Sequence, residues 1–428
     1  MRLEKYNSYQ DTGVVWLPKI PAEWQVKRVK DLADYQSGDY IDSNEFSDEG
    51  IFPVYGGNGL RGYTTKYNHN GDYILIGRQG ALCGNINYAA SSFWATEHAV
   101  VVYKKKNVNL FWFGELLRVM NLNQYSLSAA QPGLSVEKIK RLELPYVSNI
   151  TQQNQIAQYL DRKTAAIDQK INLLQQKHAR YLELRKSLIN ETVCRGLNKN
   201  APLKDSGIEW IGKIPEHWKK IRLKDIGFLY SGLSGKSGSD FNQENNKNNR
   251  GFIQFTNIAN NTYLNPNILG TVAITPNEKQ NKVKSGDLFF LMSSEGYEDI
   301  GKTALLKDEV PETYLNSFCK GFRIFDKQHN SAFLNYQLLS ETYRHILIVE
   351  GKGFTRINLK MEKVSDFSVF TPPYIEQTQI AQYLDTQTIK IDQITNNIKL
   401  QIAALKELRG TLINDIVTGK YKVPENIM

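Results

Sequence analysis

The sequence is poor in the residues from which metal and catalytic centres are commonly built. Its 428 residues hold three cysteines, Cys83, Cys194 and Cys319, which are far apart and in no CxxC spacing. So few dispersed thiols support neither a disulfide framework nor a zinc site, and reduced, unremarkable cysteines are expected. The six histidines are scattered too, and no HExxH pair, metal-spaced carboxylate cluster or Ser-His-Asp arrangement stands out. No catalytic centre or metal site is therefore visible. No apolar run approaches the 18 or more residues of a membrane span, and the opening MRLEKYNSYQ has no signal-peptide core. Both absences point to the cytoplasm and away from a membrane partner.

What the chain has is length, basic charge and repetition. Its 428 residues suit two or three domains, and its net charge of +9 suits a polyanionic partner, because Lys and Arg that neutralise phosphates release counterions. Basic charge alone does not single out nucleic acid. The heptapeptide QIAQYLD occurs at Gln155 and again, letter for letter, at Gln379. Around it, Ile156 to Val193 matches Ile380 to Val417 at an offset of 224 without a gap. Upstream, Asp11 to Gly38 matches Asp205 to Gly232 at an offset of 194, pairing Trp16 with Trp210, Trp24 with Trp218 and Ser37-Gly38 with Ser231-Gly232. The chain is two copies of one plan, and the second carries 30 more residues in its middle.

The downstream stretches are rich in Ala, Leu, Gln, Lys and Glu and nearly free of Gly and Pro, which predicts long helices. Leu160, Ile167, Leu174, Tyr181 and Leu188 fall seven apart, and their partners are Leu384, Ile391, Ile398, Leu405 and Leu412. The position four beyond each is often polar, as at Thr164, His178 and Arg185, so a narrow seam between two antiparallel helices is expected. The middles read as mixed. IFPVY, DYILIG, HAVVVY, GFIQF, GDLFFLM and GFRIF are strand-like, FWFGELLRVMNLNQY and SAFLNYQLLSETYRHIL read as one helix each, and DFNQENNKNNR reads as an exposed loop. The four recurring tryptophans are expected to be buried anchors. Lys104-Lys105-Lys106 reads equally as a solvated turn or a phosphate contact.

Three motifs lack their context. GNGLRG satisfies GxGxxG, but no helix follows to receive a pyrophosphate, so it reads as a glycine-rich turn. SGKSG ends like a phosphate loop, yet Tyr230 stands where the first glycine belongs, which leaves Lys236 only a chance of touching a phosphate. TPPY resembles the catalytic tetrapeptide of amino-methyltransferases but has Thr371 before the prolines, which more plainly stop a strand ahead of the second long helix.

Units that open with GVVWLPKIPAEW and GIEWIGKIPEHW, and close on QIAQYLD helix starts, resemble the specificity subunit of type I restriction-modification systems over essentially the whole chain. The resemblance implies an α+β architecture. Two pseudo-twofold-related target recognition domains, at 1–150 and 201–374, would be separated by two long antiparallel helices in conserved regions 151–200 and 375–428, forming an intramolecular coiled coil. A 38-residue helix spans ~57 Å, a ruler on the order of one to two duplex turns. The resemblance further implies double-stranded DNA as ligand, each domain reading half of a bipartite target, with two methyltransferase subunits and motor-nuclease subunits as partners. S-adenosylmethionine, ATP and magnesium would then belong to those partners, and this chain would hold no cofactor. For DNA contacts, Arg61, Lys66, Arg78, Gln79 and Asn85 in the first unit, near Tyr55 and Tyr63, have suitable chemistry. In the second unit the choice falls on Lys236, Arg250, Gln254, Asn257, Lys352 and Arg356. A self-contained DNA methyltransferase or nuclease is the alternative, and the missing cofactor loop counts against it. A coiled-coil scaffold without a DNA role leaves the divergent middles unexplained.

Overall fold

The computed structural model describes residues 3–80, 82–126, 133–351 and 356–424. It divides into two compact units, Met1–Gln175 with Lys399–Met428, and Gln176–Ile398.

In the first unit the near-continuous apolar run AVVVYK becomes a strand covered on both faces. Val100 and Val102 face a core containing Trp24, Trp112 and Phe113, while Val101 faces Leu75 and Phe93 on the other side. That strand, Ala99–Lys104, sits inside an antiparallel sheet of order Ala33–Ser37, Ala99–Lys104, Tyr73–Gly77, Ile86–Ala89. A second sheet contains one parallel pair, Phe52–Gly56 with Ser92–Ala95. The second unit repeats the plan. Its main antiparallel sheet runs Gly227–Ser231, Cys319–Ile324, Leu288–Leu291, Thr303–Leu305, and its smaller sheet again has one parallel pair, Asn249–Ile253 with Thr313–Leu315. The duplication thus extends through the middles, where little sequence is shared.

Local capping overrode several sequence expectations. SAFLNYQLLSETYRHIL forms two helices, Ser331–Leu339 and Glu341–Val349, because Ser340 turns extended (ψ 148) and its hydroxyl accepts from the Tyr343 amide. FWFGELLRVMNLNQY likewise breaks. Its helix ends at Val119, and Asn121 adopts a left-handed conformation (φ 47) before a short 3-10 turn at Leu122–Tyr125. GFIQF is strand only as far as Ile253, since Gln254 caps the helix Phe255–Asn260. Trp24 and Trp218 are buried as expected. Trp16 is half-buried, with its indole donating to the Glu143 carbonyl, and Trp210 is exposed, its ring 4.3 Å from that of His345.

The two long helices, Ile150–Arg195 and Tyr374–Val417, each begin six residues before the gap-free match. Two equivalent glutamines explain the early start. Gln153 is fully buried; its amide donates to the Val147 carbonyl at 2.7 Å and accepts from the Asn109 amide at 2.8 Å. Gln377 does the same with the Pro372 carbonyl at 2.9 Å and the Asn330 amide at 2.8 Å. Asn109 and Asn330 are the N-caps of Leu110–Val119 and Ser331–Leu339, so each glutamine ties the start of a long helix to the N-terminus of a shorter helix in its own unit.

Within each unit the two helices run antiparallel. In the first, Ile156 and Leu160 share a core with Ile413, Ile416 and Val417, and Asp168 pairs with Arg409 at 2.9 Å. In the second, Ile189 and Val193 share a core with Ile380 and Leu384, and Arg185 pairs with Asp392 at 3.1 Å. Along the seam Leu160, Leu384, Ile391 and Ile398 are buried, while Ile167, Leu174, Tyr181, Leu188, Leu405 and Leu412 are half-buried. The seam is wider than the narrow stripe expected, because Thr164, Thr192, Thr388 and Thr395 are buried in its second row together with Ile171. The Thr164, Thr388 and Thr395 hydroxyls bond carbonyls of their own helix, Thr388 to Leu384 at 2.7 Å, which offsets the desolvation of a polar row.

Candidate nucleic-acid interface

In the first unit GNGLRG makes the hairpin turn between Phe52–Gly56 and Gly59–Thr64, as its glycines predict. The turn packs closely on the main chain of Gln79 and His98, where a Cβ at Gly57 would stand 2.8 Å from the Gln79 carbonyl oxygen. Asn85 joins it, 3.4 Å from the Asn58 side-chain oxygen. Arg78, Gln79 and Asn85 are therefore brought together. The backbone of Arg78 is clamped, donating to the His98 carbonyl at 2.8 Å and accepting from the Leu134 amide at 2.9 Å, and its Nη1 lies 3.1 Å from Ser37 Oγ. Gln79 is exposed and its backbone bridges to Gly133. Arg61 and Lys66 lie instead beside the short Ser43–Glu45 turn: the exposed Arg61 guanidinium sits 5.5 Å above the Phe46 ring, and Lys66 pairs with Glu45 at 2.7 Å. That hydrogen bond from Lys66 holds the Glu45 carboxyl below its usual range. Tyr55 packs edge-on to Phe93, and Tyr63 is half-buried.

The second unit spends several of its expected contacts internally. Asn257 is wholly buried and cannot meet a base edge. Its amide donates to the Asn265 carbonyl at 2.9 Å and accepts from the Asn265 amide at 3.0 Å, closing the loop that follows its own helix. Lys236 keeps 7% of its side chain exposed and pairs with Glu278 at 2.6 Å, which makes it a poor phosphate ligand. Arg250 pairs with Glu312 at 2.9 Å, and Lys282 reaches the same carboxylate. Hydrogen bonds from Lys282, Tyr314 and Arg250 hold Glu312 down to about 2. Gln254 is half-buried at its helix cap, and Lys352 lies outside the described residues. Arg356 is the exception: half-exposed, stacked 4.8 Å over the exposed ring of Phe318, with Glu295 at 3.8 Å.

The structure adds one cation that sequence reading missed. Lys320 lies in Cys319–Ile324, where GFRIF reads as an interior strand, yet its Nζ lies 3.1 Å from Ser231 Oγ. The available signal was the repeated Ser-Gly at 37–38 and 231–232. A groove of about 1120 Å³ in the second unit, lined by Arg185, Tyr263, Lys307, Arg344 and Asp385, contains none of the candidate residues. All three cysteine thiols are buried, and burial pushes Cys194 up to about 11, as suits inert packing residues. Among the described residues no group of three His, Cys, Asp or Glu could hold a metal ion, and no helix is long and apolar enough to cross a membrane.

A duplicated α+β module, each copy with the same strand order and each closing on a long helix, defines a tandem-repeat protein of two like domains. The family described as the type I restriction modification DNA specificity domain matches residues 21–176 and 215–404, and the chain belongs to that family. Among relatives, the type I restriction enzyme EcoprrI specificity subunit of Escherichia coli is 40% identical over 166 residues, 38% of this chain and 41% of that subunit. The MjaVIII specificity subunit of Methanocaldococcus jannaschii is 22% identical across 95% of this chain and 94% of its own length. Among solved structures, a chain from work on complex assembly and conformational transition of the type I system superposes with a TM-score of 0.69 at 15% identity, covering 93% of this chain and 98% of that one. The HsdS subunit of Thermoanaerobacter tengcongensis gives 0.52 at 15% identity, covering 94% and 98%. The chain is thus a type I restriction-modification specificity protein with DNA-recognition domains.

Proposed function

We propose that this chain is the address-reading subunit of a type I restriction-modification complex in the cytoplasm. One target recognition domain, residues 1–150, reads one half of a bipartite duplex sequence, and the other, residues 201–374, reads the second half. The conserved regions 151–200 and 375–428 set the spacing through their antiparallel helices and dock two methyltransferase subunits, with motor-nuclease subunits joining the assembly. The chain carries no catalytic centre or cofactor of its own; S-adenosylmethionine, ATP and magnesium serve the partners. One observation carries this reading: two modules share strand order and helix attachment while their exposed loop residues differ, which is what two different half-sites on one frame require. The DNA contacts are assigned to Arg61, Arg78, Gln79 and Asn85 in the first domain and to Gln254 and Arg356 in the second.

The test is a domain exchange. Residues 39–150 are replaced by the same region of a relative, the chain is expressed with its methyltransferase subunits, and methylated adenines are mapped genome-wide. Only one half of the methylated sequence should change. A change in both halves, or in neither, would falsify the modular reading.

A further inference from the structure

Each unit has an unexplained repeat at the same place, the end of the edge strand of its main sheet. Ala33–Ser37 is followed by Gly38, and Gly227–Ser231 by Gly232. Neither glycine can carry a side chain. A Cβ at Gly38 would collide with the Ala95 and Thr96 carbonyls, and one at Gly232 with those of Leu315 and Asn316. The close approach fixes where the preceding serine points.

Both serines hold a cation, delivered from different strands. Ser37 is paired across the sheet with Val100, which is paired with Ile76. Arg78 is two residues beyond Ile76, so it returns to the same face and reaches Ser37 Oγ at 3.1 Å. Ser231 is paired directly with Lys320, whose Nζ reaches Ser231 Oγ at 3.1 Å, and Lys320 is paired with Phe290. Val100 with Ile76, and Phe290 in the second unit, belong to the corresponding cores, so the two mounts are equivalent positions on one plan. Among the described residues neither Arg78 nor Lys320 has a carboxylate partner, whereas Lys66, Lys236 and Arg250 do.

We propose that Ser37–Arg78 and Ser231–Lys320 are equivalent phosphate anchors, which set the register of each domain on the duplex and leave base reading to the surrounding loops. The inference rests on the DNA-recognition reading above and assigns Arg78 to the backbone rather than to a base. A constant serine suits the constant part of the ligand: every half-site presents a phosphate backbone, and only the base edges differ. That cations from two unrelated strand positions converge on one serine indicates that charge at that point is what the frame preserves. The serine is a positioning residue. It holds the cation's head group through an uncharged hydroxyl acceptor, without the competing carboxylate that a phosphate would have to displace.

The test uses the full chain assembled with its methyltransferase subunits, binding a duplex that carries the mapped target, across a series of salt concentrations. Arg78→Gln and Lys320→Gln should each lower the slope of log affinity against log salt by about 0.9, while the methylated sequence stays the same. Arg78→Lys and Lys320→Arg should keep the slope, separating loss of charge from loss of fold. Ser231→Ala, which frees the ammonium without removing its charge, should weaken binding at an unchanged slope. Lys140→Gln, which removes a cation already paired with Glu137 at 2.9 Å, should change nothing. The inference is overturned if the slopes of both Gln variants match wild type, or if either variant alters the methylated sequence in one half-site. Absence of salt-dependent, target-selective binding by the wild-type assembly would instead defeat the DNA-recognition reading itself.

Discussion

Replacing Gln377 with alanine should loosen the second unit and leave the first intact. The side chain is 1% exposed, donates to the Pro372 carbonyl at 2.9 Å and the Gln328 carbonyl at 3.1 Å, and accepts from the Asn330 amide at 2.8 Å. Truncation orphans three backbone groups. Each buried unpaired group costs about 1–3 kcal/mol, and taking the low end, because water can enter the space left by the amide, gives about 3 kcal/mol in total. At ~1.4 kcal/mol per decade that is roughly a 100-fold rise in the open population. Asn330 also caps Ser331–Leu339 through bonds to the Ala332 and Phe333 amides, so the fault spreads into that helix. Hydrogen exchange read by mass spectrometry should show protection lost across 328–339 and 372–381 and retained across 107–119 and 147–157. Gln153→Ala should give the mirror pattern. An exchange increase below tenfold, or one of equal size in both units, would refute the claim that these glutamines fasten each helix to its own unit.

Two further outcomes follow from the geometry. Glu312 has a folded pKa of about 2 against an ordinary 4.5, so the stability it contributes is fully present above pH 4.5 and disappears as pH falls towards 2; a carboxyl NMR titration with a midpoint near 4.5 would contradict the Lys282–Tyr314–Arg250 cage. Ending the chain at Thr418 should destabilise the first unit by about 2 kcal/mol, the worth of one buried apolar side chain such as Val423. The deletion also removes the backbone bridge of Lys422 to Glu4 and the Lys420 carbonyl that accepts from the Tyr9 hydroxyl. Chemical denaturation should detect the loss, and an unchanged transition would mean that the tail packs without consequence.

The sequence by itself determined the duplication, the two long helices and the strand-rich middles, because each depends on short-range periodicity or direct repetition. QIAQYLD marked the two long helices, though they start five residues upstream of it, at Ile150 and Tyr374, and HAVVVY and GDLFFLM marked central strands by composition alone. Helix breaks were harder. Ser340 interrupts an apolar stretch through one side-chain cap, a local contest that average propensity does not register. The narrow-seam expectation also failed locally, since Thr388 and Thr395 satisfy their hydroxyls on their own helix and can be buried. Only the tertiary structure decided which cations remain available. Lys66, Lys236 and Arg250 are neutralised by carboxylates 21, 42 and 62 residues away, and Asn257 is consumed in closing a loop. Chain folding, rather than residue type, brought Arg78 and Lys320 to equivalent serines, because a cation's partner is set by which strands lie side by side.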